Sequence, residues 1–313
     1  MGFYYVGQSS RSYWHERLYD KMHSLQKAED RVVRDINKAY NRAFNEISND
    51  LNNFYVKYAI DNHITLQQAQ MMLTPIESRE YRQRIEELKR AYEATRDENI
   101  LSEIAQLSSR KEVTRFQALL DSISAKLIEV SNNVQITLED YLNGAYTRGY
   151  DDSLENMQIN KTVINHRAVE EVIRYPYAGA MFSDRIWRNK RQLLNWINDD
   201  LTKGMVRGDS IQKMGKSLRD RCHVAKYQSE RLVRTESCNA YTQGTLHGYE
   251  DSKVVDAYEV MDTADERECS SCKKHGGSVV ALSDAKPGDN IPPFHPNCRC
   301  CIAPVVIEVG KKH

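Results

Sequence analysis

The sequence predicts an α+β fold that is mostly α. A long N-terminal helical hairpin or bundle leads into a second helical region that closes in a small antiparallel sheet carrying a Cys/His cluster. Three observations predict it. Apolar residues recur at helical spacing through most of the first 155 residues. After Glu250 that periodicity gives way to short runs rich in Val and Ile, bounded by turn residues. Five of the seven cysteines fall between residues 269 and 301. The expected organisation is an elongated helical region over 1–155 and a second region over 156–313, with its Cys/His-rich site at 265–301.

The first stripe opens with Trp14, Leu18, Met22 and Leu25 and continues through Val32, Ile36, Tyr40, Phe44, Ile47, Leu51, Phe54 and Tyr58. Ser12 is the candidate N-cap. No Pro or Gly interrupts residues 8–74, so one long helix is expected there. A helix with a single apolar stripe needs a partner helix or subunit to cover it. Thr74-Pro75 punctuates the chain, because proline disfavours helical geometry in the residue before it. Tyr81, Ile85, Leu88 and Tyr92 form the next face. Leu101, Ile104 and Leu107 resume it, and Phe116, Leu119, Ile123, Leu127, Val130, Val134 and Leu138 carry it on. The aromatic residues on these stripes read as core.

Residues 174–179, Arg-Tyr-Pro-Tyr-Ala-Gly, read as a loop. A helix with Ile186, Trp187, Leu193, Leu194, Trp196, Ile197 and Leu201 apolar follows it. Asp209 or Ser210 can cap the next, with Ile211, Met214 and Leu218 on its buried side. Residues 224–248 are expected to form a further helix. Three strands are then predicted, around 254–260, 278–282 and 301–307. Pro304 puts the last at a sheet edge or confines its pairing to the later residues.

The formal net charge is zero, but residues 161–236 carry 16 Lys/Arg against 9 Asp/Glu. Such a stretch can face DNA phosphates, through Arg185, Arg188, Lys190 and Arg191 among others, or be the solvated side of ordinary helices. The first seven residues have no basic segment followed by an apolar run, and no apolar stretch approaches membrane-spanning length. The expected folding compartment is therefore a reducing cytosol, with no membrane anchor. There, clustered cysteine reads as metal binding before it reads as disulfide.

Cys269-Ser270-Ser271-Cys272 supplies one thiol pair, and residues 295–301, His-Pro-Asn-Cys-Arg-Cys-Cys, a second group. Two ligand pairs on separate loops can close a tetrahedral zinc site that holds those loops without a large core. Cys269, Cys272 and Cys298 or Cys300 are the first choices, with His295 as the fourth ligand. Five candidates are more than one ion needs. The rival reading is a disulfide or a set of free buried thiols. Cys301 reads as a buried strand residue, and Cys222 and Cys238 as core. No residue is assigned a catalytic role.

The same residues carry a resemblance. Arg234-Thr235-Glu236, Asp265 shortly before the Cys-x2-Cys pair, Gly276-Gly277, and residues 292–300, Pro-Pro-Phe-His-Pro-Asn-Cys-Arg-Cys, resemble the phage Mu F-like minor head protein family, also described as the phage head morphogenesis domain. The likeness covers roughly 160–305. It implies a structural minor capsid protein of a tailed bacteriophage, inside the virion and near the portal. Its role would lie in head morphogenesis and in DNA packaging or delivery, with assembly in the host cytoplasm. The implied partners are the portal protein and packaged DNA bound without sequence preference, with scaffolding or major capsid protein as further candidates. Related domains occur fused to toxin modules, and the few residues after Ile307 argue against such a role here. The alternative is a nuclease- or transferase-like enzyme that uses Arg234, Glu236, His247, His275 or His295. Arg234 and Glu236 lie two apart on a helix and do not share a face. One is expected in an ion pair and the other in solvent.

Overall fold

The computed structural model describes residues 11–60, 63–96, 98–108, 112–159, 166–263 and 265–306. The expectations placed on residues 1–7 and on Ile307 lie outside them. The fold is mostly α with one small sheet, as expected. The helices are α1 (Arg11–Tyr58), α2 (Leu66–Ala69), α3 (Pro75–Thr95), α4 (Glu98–Ser108), α5 (Arg115–Asn156), α6 (His166–Ile173), α7 (Phe182–Arg207), α8 (Ile211–Ser252) and α9 (Ser270–His275). The strands are β1 (Ala257–Met261), β2 (Val279–Ala281) and β3 (Cys301–Val305).

Two compact units share these elements. One comprises residues 1–35, 136–182 and 229–313, the other 36–135 and 183–228. The boundaries at 35, 135 and 228 fall inside α1, α5 and α8, so the units are discontinuous in sequence.

The all-helical unit, 36–135 and 183–228, follows the stripes read from sequence. Ile36, Tyr40, Phe44, Ile47, Leu51 and Phe54 of α1 are buried. α3, α4, α5 and α7 share a core of Leu88, Ile100, Ile104, Leu107, Ile128 and Trp187. Leu101 is exposed and Ile100 takes the buried position beside it. The long first helix stops at Tyr58 rather than running to 74, although neither Pro nor Gly breaks it. Two capping boxes begin the helices that follow. Thr65 and Gln68 reciprocate at α2, and Thr74 and Glu77 at α3, where Pro75 takes the first helical position. Burial pushes the Glu77 carboxyl up. The Tyr58 hydroxyl, the Thr74 backbone N–H and Lys57 outweigh it and hold the group at about 2. Ser12 is already helical and does not cap α1. The separate helices expected before and after residue 224 are one continuous α8, which runs through Gly215.

The other unit contains the sheet, in the order β2-β1-β3, all antiparallel. β3 is an edge strand, and Pro304 sits opposite Tyr258 in it. All five residues of β1 are buried because both faces are covered. On one face Met261, Cys301 and Ala303 pack on Trp14 and Leu18 of α1. On the other Tyr258, Val260 and Ile302 pack with Leu246 and Tyr249 of α8. This period-two division matches alternation along the strands. α5 and α8 approach backbone to backbone at two glycines. A Cβ on Gly149 would lie 2.0 Å from the Tyr241 carbonyl oxygen, and one on Gly244 would lie 2.0 Å from that of Tyr146. Any side chain at either position forces the helices apart.

Candidate metal centre

The cluster is assembled by α9, by the loop between β2 and β3, and by α8. Cys269 is the N-cap of α9, and its sulfur accepts the Cys272 backbone N–H at 3.5 Å. One turn of helix therefore aims both sulfurs to the same side. Gly276 ends α9, and a Cβ there would lie 2.5 Å from an Asp262 carboxylate oxygen, so a side chain at this position would displace that carboxylate.

The second loop is fastened at several points. The Tyr177 hydroxyl donates to the Pro293 carbonyl at 2.6 Å, and the His275 and Phe294 rings stack with centroids 4.0 Å apart. The Asn297 backbone N–H donates to the Thr235 hydroxyl at 3.1 Å, and Asn297 holds a positive φ of 62°. Thr235 thus ties α8 to the turn that presents His295 and Cys298. Arg299 clasps Asp265 with two hydrogen bonds of 2.5 and 2.8 Å. The Arg299 guanidinium holds the Asp265 carboxyl down at about 2. With His15, Tyr19 and His23 of α1, both residues also line a cleft of about 170 Å³.

His295 Nε2 lies 3.1 Å from the Cys269 sulfur and 3.0 Å from the Cys272 sulfur. Its other nitrogen, Nδ1, lies 2.7 Å from the Pro296 carbonyl oxygen. A carbonyl can only accept, so Nδ1 carries the proton and Nε2 presents a lone pair to the two thiols. That tautomer is the one a histidine needs to ligate a metal through Nε2. The Cys272 and Cys298 sulfurs are 4.0 Å apart. A zinc ion with sulfur ligands at about 2.3 Å would separate neighbouring sulfurs by roughly 3.8 Å.

The ligand atoms fall into two groups that share one member: Cys269, Cys272 and His295, and Cys272, Cys298 and Cys300. All five residues proposed from the sequence are therefore brought together. Cys269 and His295 are half-exposed, while Cys272, Cys298 and Cys300 are buried. Burial pushes the Cys272 thiol up to about 12. Cys298 is shifted the other way, because the Cys238 and Cys300 thiols and two backbone N–H groups surround its sulfur. The cysteines among the described residues are free, and Cys301 is the buried first residue of β3, as expected.

One member escaped the sequence reading. Cys238, on α8, does not stand alone: it belongs to the same buried core as Cys272, Cys298 and Cys300, and its thiol points to the Cys300 carbonyl oxygen at 3.6 Å. No local spacing announces it, since it lies thirty-one residues before Cys269. Cys222 is buried on its own stretch of α8, as expected.

The residues weighed for catalysis are engaged separately. Arg234 pairs with Glu29, Asp30 and Glu230 at 3.3, 3.0 and 2.9 Å. Glu236 is buried, which corrects the expectation that the partner of Arg234 in the motif faces solvent. His247 Nδ1 meets the Tyr146 hydroxyl, and His275 is taken up by Phe294.

The basic stretch is also corrected at one residue. Lys190 is 3% exposed, with Nζ 2.7 Å from Glu103 and 3.1 Å from the Ser124 hydroxyl, so it is not offered to a phosphate. Arg188 and Arg191 are exposed and Arg185 is half-buried. Further along, Asp199, Asp200 and Asp209 pair with Lys203, Arg221, Arg207 and Lys213, which neutralises much of the local excess.

Residues 195–303 match the family described as Phage Mu protein F like protein. The segment contains the second half of α7, all of α8 and the whole Cys/His cluster. The chain is also 24% identical over 181 residues to the NAD(+)--arginine ADP-ribosyltransferase EFV of Enterococcus faecalis (strain ATCC 700802 / V583). That match takes in 56% of this chain and 37% of the enterococcal protein, so the chain spans well under half the length of that relative. No solved structure matches the chain. No helix among the described residues is long and apolar enough to cross a membrane.

Proposed function

We propose that this chain, a phage head-morphogenesis protein by its Mu F-like segment at residues 195–303, is a minor head component that sits inside the virion at the portal and acts in DNA packaging or delivery. The observation that carries the reading is the coincidence of the matched segment with the Cys/His cluster and the α8 motif that fastens it. Thr235 holds the ligand-bearing turn, and Arg234 binds Glu29 and Asp30 of α1. Residues of the matched segment thus do constructional work, and the role assigned is constructional. The cluster would hold structural zinc, which suits four thiolate or imidazole donors with a correctly protonated histidine. Scaffolding and major capsid proteins are the further partners of this reading.

The name of the enterococcal relative supplies a second reading, in which the chain transfers ADP-ribose or serves a protein that does. The engagement of Arg234, His247 and His275 in internal contacts favours the first.

Mass spectrometry of intact virions and of particles emptied of DNA tests the assignment. The protein should be present in few copies per virion, and purified portal should retain it. Deleting the gene should leave heads that assemble and fill at least partly, with infectivity falling further than particle yield. Virions that lack the protein, together with a portal that fails to bind it, would remove the reading. Transfer of labelled ADP-ribose by the purified chain would replace it with the second.

A further inference from the structure

We propose that the cluster holds two metal ions that share the Cys272 sulfur, with Cys238 completing the inner one. The proposal rests on the reading of the cluster as a zinc site and specifies its occupancy.

The donors are too many and too dispersed for one tetrahedral ion. They form two triads that meet at Cys272, each with its ligand atoms within 4.8 Å of one another. The outer triad, Cys269, Cys272 and His295, is half-exposed at two of its members. The inner triad, Cys272, Cys298 and Cys300, is buried throughout. Cys238 reaches the same buried core from α8, with its thiol 3.6 Å from the Cys300 carbonyl oxygen. The inner ion then has four sulfur ligands. The outer ion has two sulfurs, the His295 Nε2 and one position open to water at the exposed edge.

Charge does not penalise the second ion. A single zinc on three cysteines and His295 leaves one net negative charge in a pocket walled by Tyr249, Tyr258, Val260 and Ile302, where an uncompensated charge costs most. Five thiolates around two divalent ions also leave one. Arg299, held by Asp265, supplies a guanidinium beside Cys272 and Cys300. Binding releases the thiol protons to solvent as each sulfur becomes a thiolate, and no oxidant is involved.

Native mass spectrometry of the full chain, purified in reducing buffer without chelator, reads the occupancy directly. Two zinc ions per chain are expected. One ion would overturn the shared centre and leave a single structural zinc standing; none in folded protein would overturn both. Cys238→Ser should lower the count from two to one, whereas Cys222→Ser should leave it at two. Retention of two ions in folded Cys238→Ser would remove Cys238 from the inner set and overturn the proposal. If that variant does not fold, cobalt titration of the unsubstituted chain decides. A sulfur bridge should couple the second Co2+ magnetically to the first and quench the paramagnetic signal. Two independent cobalt signals would overturn the bridge.

Discussion

The two compact units are held by different means. In the unit of residues 36–135 and 183–228, every described element except short turns is a helix. Its cohesion comes from apolar stripes, two capping boxes and buried ion pairs. The other unit closes with strands of five, three and five residues and a six-residue helix. Elements this short do not hold themselves. They converge instead on one dense group of sulfur and imidazole from α8, α9 and the loop before β3. Where the chain has long periodic segments, packing suffices; where its segments are short, packing on α1 and α8 is accompanied by a group of donors able to hold a metal.

The sharpest way to break that comparison is to remove the chemistry from one unit only. Cys272→Ser removes the sulfur common to both triads. The apparent free energy of a structural zinc site is on the order of 10 kcal/mol, so the loss should exceed what the sheet can bear. Limited proteolysis should open residues 253–306, while far-ultraviolet circular dichroism keeps most of its helical signal. Chelation of the parent protein should reproduce the pattern. Collapse of all helicity at the same step would show that the two means of cohesion are one.

The reciprocal test lies in the helical unit. Lys190→Ala leaves the Glu103 carboxylate without the ammonium that lies 2.7 Å away. Breaking a buried pair in this way costs about 3–5 kcal/mol. Metal content should stay unchanged, since no ligand belongs to that unit. Zinc loss in a Lys190→Ala protein that remains folded would contradict the separation.

What the sequence made legible follows the same division. The stripes of α1, α5 and α7 and the punctuation at Thr74-Pro75 are local patterns, and they appear where expected. The three strands and the five ligand candidates are local too, since Cys-x2-Cys and His-x2-Cys-x-Cys are spacings within single turns. Contacts between distant segments left no such mark. Cys238 reads as ordinary core on a helix until the fold sets it in one core with Cys272, Cys298 and Cys300. Lys190 sits in a basic run, yet faces inward because Trp187 and Leu193 fix which side of α7 is buried. The close crossing of α5 on α8 had a usable signal: Ala240, Gly244 and Gly248 repeat at a spacing of four, a stripe of small residues along one helix face. The discontinuous units had none, because contact between remote segments is invisible to periodicity.

Acid should separate the units more finely. Glu77, in the helical unit, is held at about 2 against an ordinary 4.5. Its contribution is complete above pH 4.5 and is lost as the pH falls toward 2. Glu259, in β1 of the other unit, is raised by burial and by Asp262. Its ionisation works against folding, so its penalty is absent below 4.5 and grows as the pH rises through its folded value. Glu77→Gln should therefore cost on the order of 2 kcal/mol at neutral pH and little at pH 2. Glu259→Gln should stabilise at neutral pH and change little in acid. Thermal melting of the two variants between pH 2 and 7 checks both signs, and parallel curves would refute the assignment.

The smallest expected effect on stability tests the basic stretch. Arg188 and Arg191 are exposed on α7, so reversing both to glutamate should alter stability by no more than about 0.5 kcal/mol each. Lys190, between them in sequence, is excluded because its ammonium is spent on Glu103 and Ser124. The same reversal should matter for DNA if this helix faces phosphates. Contacts to phosphate release counterions, so affinity should be indifferent to base sequence and fall steeply as salt rises. Arg188→Glu/Arg191→Glu should weaken binding equally on unrelated duplexes and flatten the salt dependence by about two counterions. It should also lower infectivity without unfolding the protein. Unchanged salt dependence and infectivity would return the segment to an ordinary solvated face. The local pairing of Lys203, Arg207, Lys213 and Arg221 with aspartates already points the rest of the stretch that way.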